Sequence, residues 1–291
     1  MVLNKAFGHG FNSRRLHQIK KNSYVLSYSF NLTFFEVLVS FSNMFIPFDK
    51  KIIEDKKLRT PLIILISILP ILIILGMYIL NRENYPLYKR VGSEDNLIEW
   101  LQVLAYASSS ILALLLSLRF RKVSKIMFAI FLILSLGFLF VAGEEISWGQ
   151  RLFGIEADGV FDGNTEIPFL KKNVQSETNL HNFVPIHSKV GYMYLGIGAY
   201  GIFSWFVVCI LTKIFKIQKG IRKYLRYFTV PPYLFLYFFV SAINLQTISR
   251  RGVGPQEYEL AELILSLGIL ITMVIYYISA KKNFQEKGSS K

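Results

Sequence analysis

The stretch TPLIILISILPILIILGMYIL, residues 60–80, contains no charged side chain. A helix of this length rises about 30 Å, which matches the hydrocarbon core of a bilayer. Runs of similar length and character recur at 97–118, 126–142, 190–214, 229–245 and 258–279. Lipid offers the backbone no hydrogen-bond partners, so each run is expected to be a helix. The expectation is an all-α, polytopic membrane bundle of about six transmembrane helices. Overall composition agrees: 53% of the 291 residues are hydrophobic and only 18% are charged. That charge content is below the usual level for a soluble domain.

The segments between the runs alternate in charge. Residues 1–59, 119–125, 211–227 and 280–291 carry 24 Lys/Arg and 5 Asp/Glu, whereas 81–99, 143–189 and 246–262 carry 9 and 14. Basic loops stay on the cytoplasmic side, so both termini are expected there. The net charge of +14 would raise nucleic-acid binding in a soluble protein. Here the basic residues recur between apolar runs and form no single module, as befits loops facing anionic lipid. No nucleic-acid partner is expected. Cys209 is the only cysteine, which excludes an internal disulfide framework and a cysteine-based zinc cluster.

The domain reading is a basic N-terminal segment at 1–59, a six-helix membrane domain at 60–280 with an outer loop at 143–189, and a basic tail at 281–291. Within the N-terminal segment, the broken apolar stretch 25–48 reads as an interfacial or re-entrant piece. Met44 offers an alternative translation start just before the basic stretch and the first span.

Polar residues gather on the expected outer face. Ser93-Glu94-Asp95-Asn96 opens the second span, with Glu99 and Trp100 one turn deeper. Gly143-Glu144-Glu145-Ile146-Ser147-Trp148-Gly149-Gln150-Arg151 ends the third. His181, Asn182 and His187 precede the fourth, and Arg250, Arg251, Glu257, Glu259 and Glu262 join the fifth to the sixth. If the third helix continued past Gly143, then Glu144, Ser147 and Arg151 would share one face. The adjacent carboxylates Glu144 and Glu145 repel unless a cation or metal compensates, a pairing suited to acid–base work or metal ligation. Trp148 is expected in the interfacial aromatic belt.

Glu94, Asp95, Glu257 and Glu259 fit a simpler role, facing the positive ends of helix dipoles. Glu99 and Glu262 lie deeper, where a carboxylate needs a partner. Arg250 and Arg251 stand outside against the positive-inside bias; they would neutralise acids or hold an anionic group by forked hydrogen bonds. His181 and His187 with Glu145 form the expected metal-ligand set, for a divalent ion such as zinc. Loop 156–166 has calcium-loop composition without EF-hand spacing. The chain shows no phosphate-binding glycine loop, nucleophile elbow or internal repeat.

Glu94-Asp95, Glu99-Trp100, GEEISWGQRLF at 143–153 and NVQSETNLHN at 173–182 together resemble a group of uncharacterised bacterial multi-pass membrane proteins. That resemblance implies a bacterial cytoplasmic (inner) membrane and brings no activity. SEDNLIEW at 93–100 is also similar, more faintly, to the opening of an early span in alkaline-ceramidase-like membrane hydrolases. That likeness implies zinc held within the bundle by Ser, Asp and a late His pair; the sixth span here has no His.

The functional expectation is an integral membrane enzyme acting at the outer leaflet on a lipid or lipid-linked substrate. Glu144, Glu145 and His181 would be catalytic, with Glu99 and Glu262 orienting them. Gln150, Arg151, Asn182, Arg250 and Arg251 would bind substrate. The alternatives are a non-catalytic partner of an envelope complex and an ion-coupled transporter. Acids on one face, apolar opposite halves and the absence of duplicated halves weigh against transport.

Overall fold

The computed structural model describes residues 56–93, 96–149, 184–216, 224–251 and 255–288, all helix, turn or irregular with no strand among them. The chain divides into Met1–Lys51, which lies outside the described residues, and Ile52–Lys291. The expected interfacial piece at 25–48 and the alternative start at Met44 therefore lie outside them too.

Among the described residues seven α-helices follow in order: α1 Lys56–Glu83, α2 Tyr85–Val91, α3 Leu97–Phe120, α4 Lys125–Glu145, α5 Val184–Ile214, α6 Phe235–Arg251 and α7 Pro255–Gly288. Among the described residues, five helices are long and apolar enough to cross a membrane: Thr60–Glu83, Leu97–Phe120, Lys125–Glu145, Gly191–Ile214 and Gln256–Lys281. The expected run at 229–245 differs. Its helix begins only at Phe235 and is 17 residues long, preceded by single 3-10 turns at Arg226–Phe228 and Pro232–Leu234. Pro231 and Pro232 remove two backbone donors, so a continuous helix cannot form there. Side chains satisfy the freed groups: Val230 N–H donates to Ser204 Oγ at 3.0 Å, and Tyr200 O–H donates to Phe228 O at 2.9 Å.

Contacts fix the topology. The turn at 121–124 folds α4 back along α3, closed by Ser124 capping Met127 N–H. Ser110 Oγ donates to Ser135 O at 2.8 Å, and Ser135 Oγ to Ser110 O at 2.9 Å. Such interhelical hydroxyl bonds hold helices together where no hydrophobic effect operates. α3 and α7 run parallel, since Gln102 meets Glu259 near one end and Arg119 meets Tyr277 near the other. α5 and α6 are antiparallel and very close. A Cβ on Gly201 would lie 2.1 Å from Phe238 Cγ, and one on Gly198 would lie 2.4 Å from Ala242 Cβ.

One end of the bundle is acidic, with the starts of α3, α5 and α7 and the ends of α4 and α6. The other is basic. Near the basic end, Phe120, Phe131, Tyr227 and Tyr276 stack and cross at centroid distances of 5.1–6.3 Å. Large apolar side chains turn outward, among them Leu104, Ile111, Ile126 and Ile133, while Ser109, Ser110 and Ser117 are buried. This inverted arrangement is stable against lipid tails and costly against water.

α1 is the least buried span. Pro70 lacks the N–H that would bond the carbonyl of Ile66, four residues earlier. Tyr237 O–H donates to that carbonyl at 2.9 Å and ties α1 to α6.

Candidate functional site

The acidic end brings together carboxylates from three helices. Glu99 stands in the first turn of α3, Glu144 and Glu145 in the last turn of α4, and Glu259 and Glu262 in the opening turns of α7. Glu99, Glu144 and Glu262 are each 5–6% exposed. Glu145, Glu259 and Glu99 all act electrostatically on Glu262. Like charges at such range in a low-dielectric site repel strongly, so the cluster exists only because the surrounding structure imposes it.

The helix dipoles treat these acids differently. Glu99 faces the positive N-terminal end of α3, while Glu259 and Glu262, one and two turns inside α7, lie beyond the first turn where that field is strongest. Glu144 and Glu145 sit at a C-terminal end, where the dipole is unfavourable to negative charge. Helix-end electrostatics therefore account for Glu99 in part and for the α4 pair not at all.

The sequence reading of the α4 terminus needs correction. The helix does not run on past Glu145: Ile146 caps it, and a 3-10 turn covers Ser147–Gly149. Ser147 and Trp148 take positive φ of 46° and 54°, so Glu144 and Ser147 do not share a helix face, and Arg151 lies outside the described residues. The turn folds the indole back over the helix, where Trp148 Nε1–H donates to Glu144 Oε1 at 2.6 Å. A Cβ on Gly143 would lie 2.9 Å from that ring, so only glycine admits it. Trp148 is half exposed, and beyond its place at the helix end it is the partner of a buried carboxylate. Left-handed backbone at a tryptophan costs about 1–2 kcal/mol, a local strain of the kind that gathers at functional sites.

Tyrosines complete the cluster. Tyr194 O–H donates to Glu262 Oε1 and is also hydrogen-bonded with Tyr258, the two rings meeting edge-on at 6.3 Å. Tyr106 is buried on α3 and shares the electrostatic field of Glu145, Glu262 and Tyr258. Gln102 Nε2 donates to Glu259 O at 2.8 Å and Glu259 Oε2 at 3.0 Å. Just outside the spans, Tyr88 O–H donates to Glu257 Oε1 at 3.0 Å. Burial, with the Glu257 carboxylate beside it, pushes the Tyr88 phenol up to about 12.

The structure thus places Glu99, Glu145 and Glu262 in one electrostatic cluster, with Glu144, bonded to Trp148, in the same turn as Glu145. Glu259 was expected to serve the helix dipole alone; it also holds Gln102. Glu94, Asp95, Gln150, Arg151, His181 and Asn182 lie outside the described residues. So do the side chains of His187, near the start of α5, and of Arg250 and Arg251, which end α6. Among the described residues, no three His, Cys, Asp or Glu side chains are arranged to hold a metal ion, and the expected histidine ligands lie beyond them. Sequence reasoning missed Gln102, Tyr106, Tyr194 and Tyr258. Glu99, Gln102 and Tyr106 recur at helical spacing, a signal that was available; Tyr194 carries none.

Comparison with protein-family models, curated proteins and solved structures returned no match for this chain.

Proposed function

We propose that this integral membrane protein is an enzyme whose acidic end works at the non-cytoplasmic leaflet on a lipid or lipid-linked substrate. The observation that carries this is the pair Glu144 and Glu145, held at an unfavourable helix C-terminus, with Glu145 acting on Glu262 together with Glu99. Acids within membrane spans are costly and mark working sites. In this reading Glu144 and Glu145 exchange protons with the substrate. Glu99 and Glu262, braced by Tyr194, are positioning residues. Arg250 and Arg251, whose helix ends at this level, hold an anionic head group with Gln150, Arg151 and Asn182. His181 assists proton transfer, and with His187 and Glu145 it would supply the ligands for a divalent ion such as zinc.

The alternation of basic and acidic connections supports six spans and two cytoplasmic termini in a bacterial inner membrane. α6 with its preceding turns supplies the sixth crossing. Tyr194 near the start of α5 meets Glu262 near the start of α7, so the chain between them must traverse the bundle. A membrane-impermeant thiol reagent should label a cysteine placed at the exposed Lys89 and spare one placed at Lys122; the reverse pattern would invert the site.

The catalytic reading is tested by complementation of a deletion strain. Glu145→Ala and His181→Ala should fail while accumulating in the membrane as the wild type does, and full complementation by both would sink it. A non-catalytic partner subunit is the second reading, and the slight burial of α1 favours it. A stoichiometric partner that co-purifies with the wild type, and is lost on deleting 150–183, would support that reading.

A further inference from the structure

Gln102 is fully buried on α3, one turn after Glu99 and one before Tyr106. Its amide nitrogen is fixed by two oxygens of Glu259, at 2.8 and 3.0 Å. Turning the amide over would set its oxygen against those two acceptors, so the orientation is determined. Oε1 is then left buried with no hydrogen-bond partner. An orphaned buried acceptor costs about 1–3 kcal/mol. Elsewhere the buried hydroxyls of Ser109, Ser266 and Thr272 are satisfied by carbonyls of their own helices. Among the described residues one other buried side-chain atom, Ser279 Oγ, lacks a partner, and it lies toward the opposite end of α7.

The missing partner is a donor, and its surroundings describe it. Glu99, Glu259 and Glu262 favour positive charge. Tyr106, Tyr194 and Tyr258 offer aromatic faces and edges. A cation that carries N–H groups supplies both the charge and the donor that the Gln102 oxygen lacks. A primary ammonium group has the charge, three N–H donors for Gln102 Oε1 and two carboxylates, and affinity for tyrosine rings. A quaternary ammonium has the charge and no N–H. Glu145, Tyr194, Tyr258 and Glu259 are partly exposed.

We propose that the acidic end binds a primary ammonium group, with Gln102 Oε1 and the Glu259 and Glu262 carboxylates accepting its N–H bonds. This deepens the reading of that end as a substrate site and rests on it. Two sources share the chemistry: the head group of an ethanolamine phospholipid and a soluble amine.

The test is calorimetric titration of the detergent-purified full-length protein with short-chain phosphatidylethanolamine, short-chain phosphatidylcholine and free ethanolamine. Phosphatidylethanolamine should bind at least about tenfold tighter than phosphatidylcholine, and Gln102→Leu should remove about that factor. Ethanolamine binding as tightly as the phospholipid would support the site and assign it to a soluble amine. Where Gln102→Leu fails to fold, the isosteric Glu262→Gln should show the same loss. Equal binding of the two phospholipids, or no binding of either amine probe, overturns the inference. The catalytic reading fails separately: ammonium binding with full complementation by Glu145→Ala and His181→Ala would contradict that reading and leave this site standing.

Discussion

At the scale of single residues, the turn after α4 shows how a local sequence builds a charged interior. Gly143 leaves room for the Trp148 ring, positive φ at two consecutive residues turns the chain back, and the indole N–H meets Glu144. Trp148→Phe keeps the ring and deletes the donor. It should destabilise the protein by about 1–3 kcal/mol, the range for a buried acceptor that loses a hydrogen bond. Thermal melting in detergent reads this, and an unchanged midpoint would show that Glu144 is held by something else. Tyr88 gives a pH signature. Its phenol, raised to about 12, prefers the neutral form in the folded protein. The associated stability is complete below pH 10 and is lost as pH rises through about 12. Phenolate absorbance should show a component near pH 12 that loses one tyrosine's amplitude in Tyr88→Phe; a Tyr88 midpoint near 10 would contradict its burial beside Glu257.

At the scale of elements, the bundle is held by small residues, hydroxyls and repaired breaks. Pro70 frees the Ile66 carbonyl inside a span, and Tyr237 from another helix takes it up. Tyr237→Phe should cost about 1–3 kcal/mol alone and much less in a Pro70→Ala background, where the helix restores its own bond. A double-mutant cycle by chemical denaturation measures this, and additive effects would show that the two residues are not coupled. The sequence made α1, α3, α4, α5 and α7 legible because hydrocarbon thickness imposes a length that composition alone reveals. It misplaced the start of α6, where Pro231 and Pro232 interrupt an apolar run and side chains of α5 absorb the break. Hydropathy counts apolar residues and cannot register which partner satisfies a backbone carbonyl. The opposite halves proved less apolar than expected, since Ser117, Thr272 and Ser279 are buried there. Ser117 and Thr272 bond to carbonyls.

At the scale of the molecule, three parallel helices and two antiparallel ones place Glu99, Glu144, Glu145, Glu259 and Glu262 at one end. The sequence exposed four of these because acids near apolar runs are conspicuous. It hid Gln102, Tyr194 and Tyr258, whose importance arises only from contacts between helices far apart in sequence. The same topology places Arg250 and Arg251 at the end where the acids converge. The central claim is that this end performs chemistry on a membrane lipid or lipid-linked molecule. Its most direct test is the lipid profile, by mass spectrometry, of a deletion strain carrying either the wild type or the Glu144→Gln/Glu262→Gln double variant at equal membrane levels. The account predicts one lipid or lipid-linked species that accumulates in both the deletion and the double variant and returns to its normal level with the wild type. A double variant whose profile matches the wild type, while the deletion differs, would contradict it.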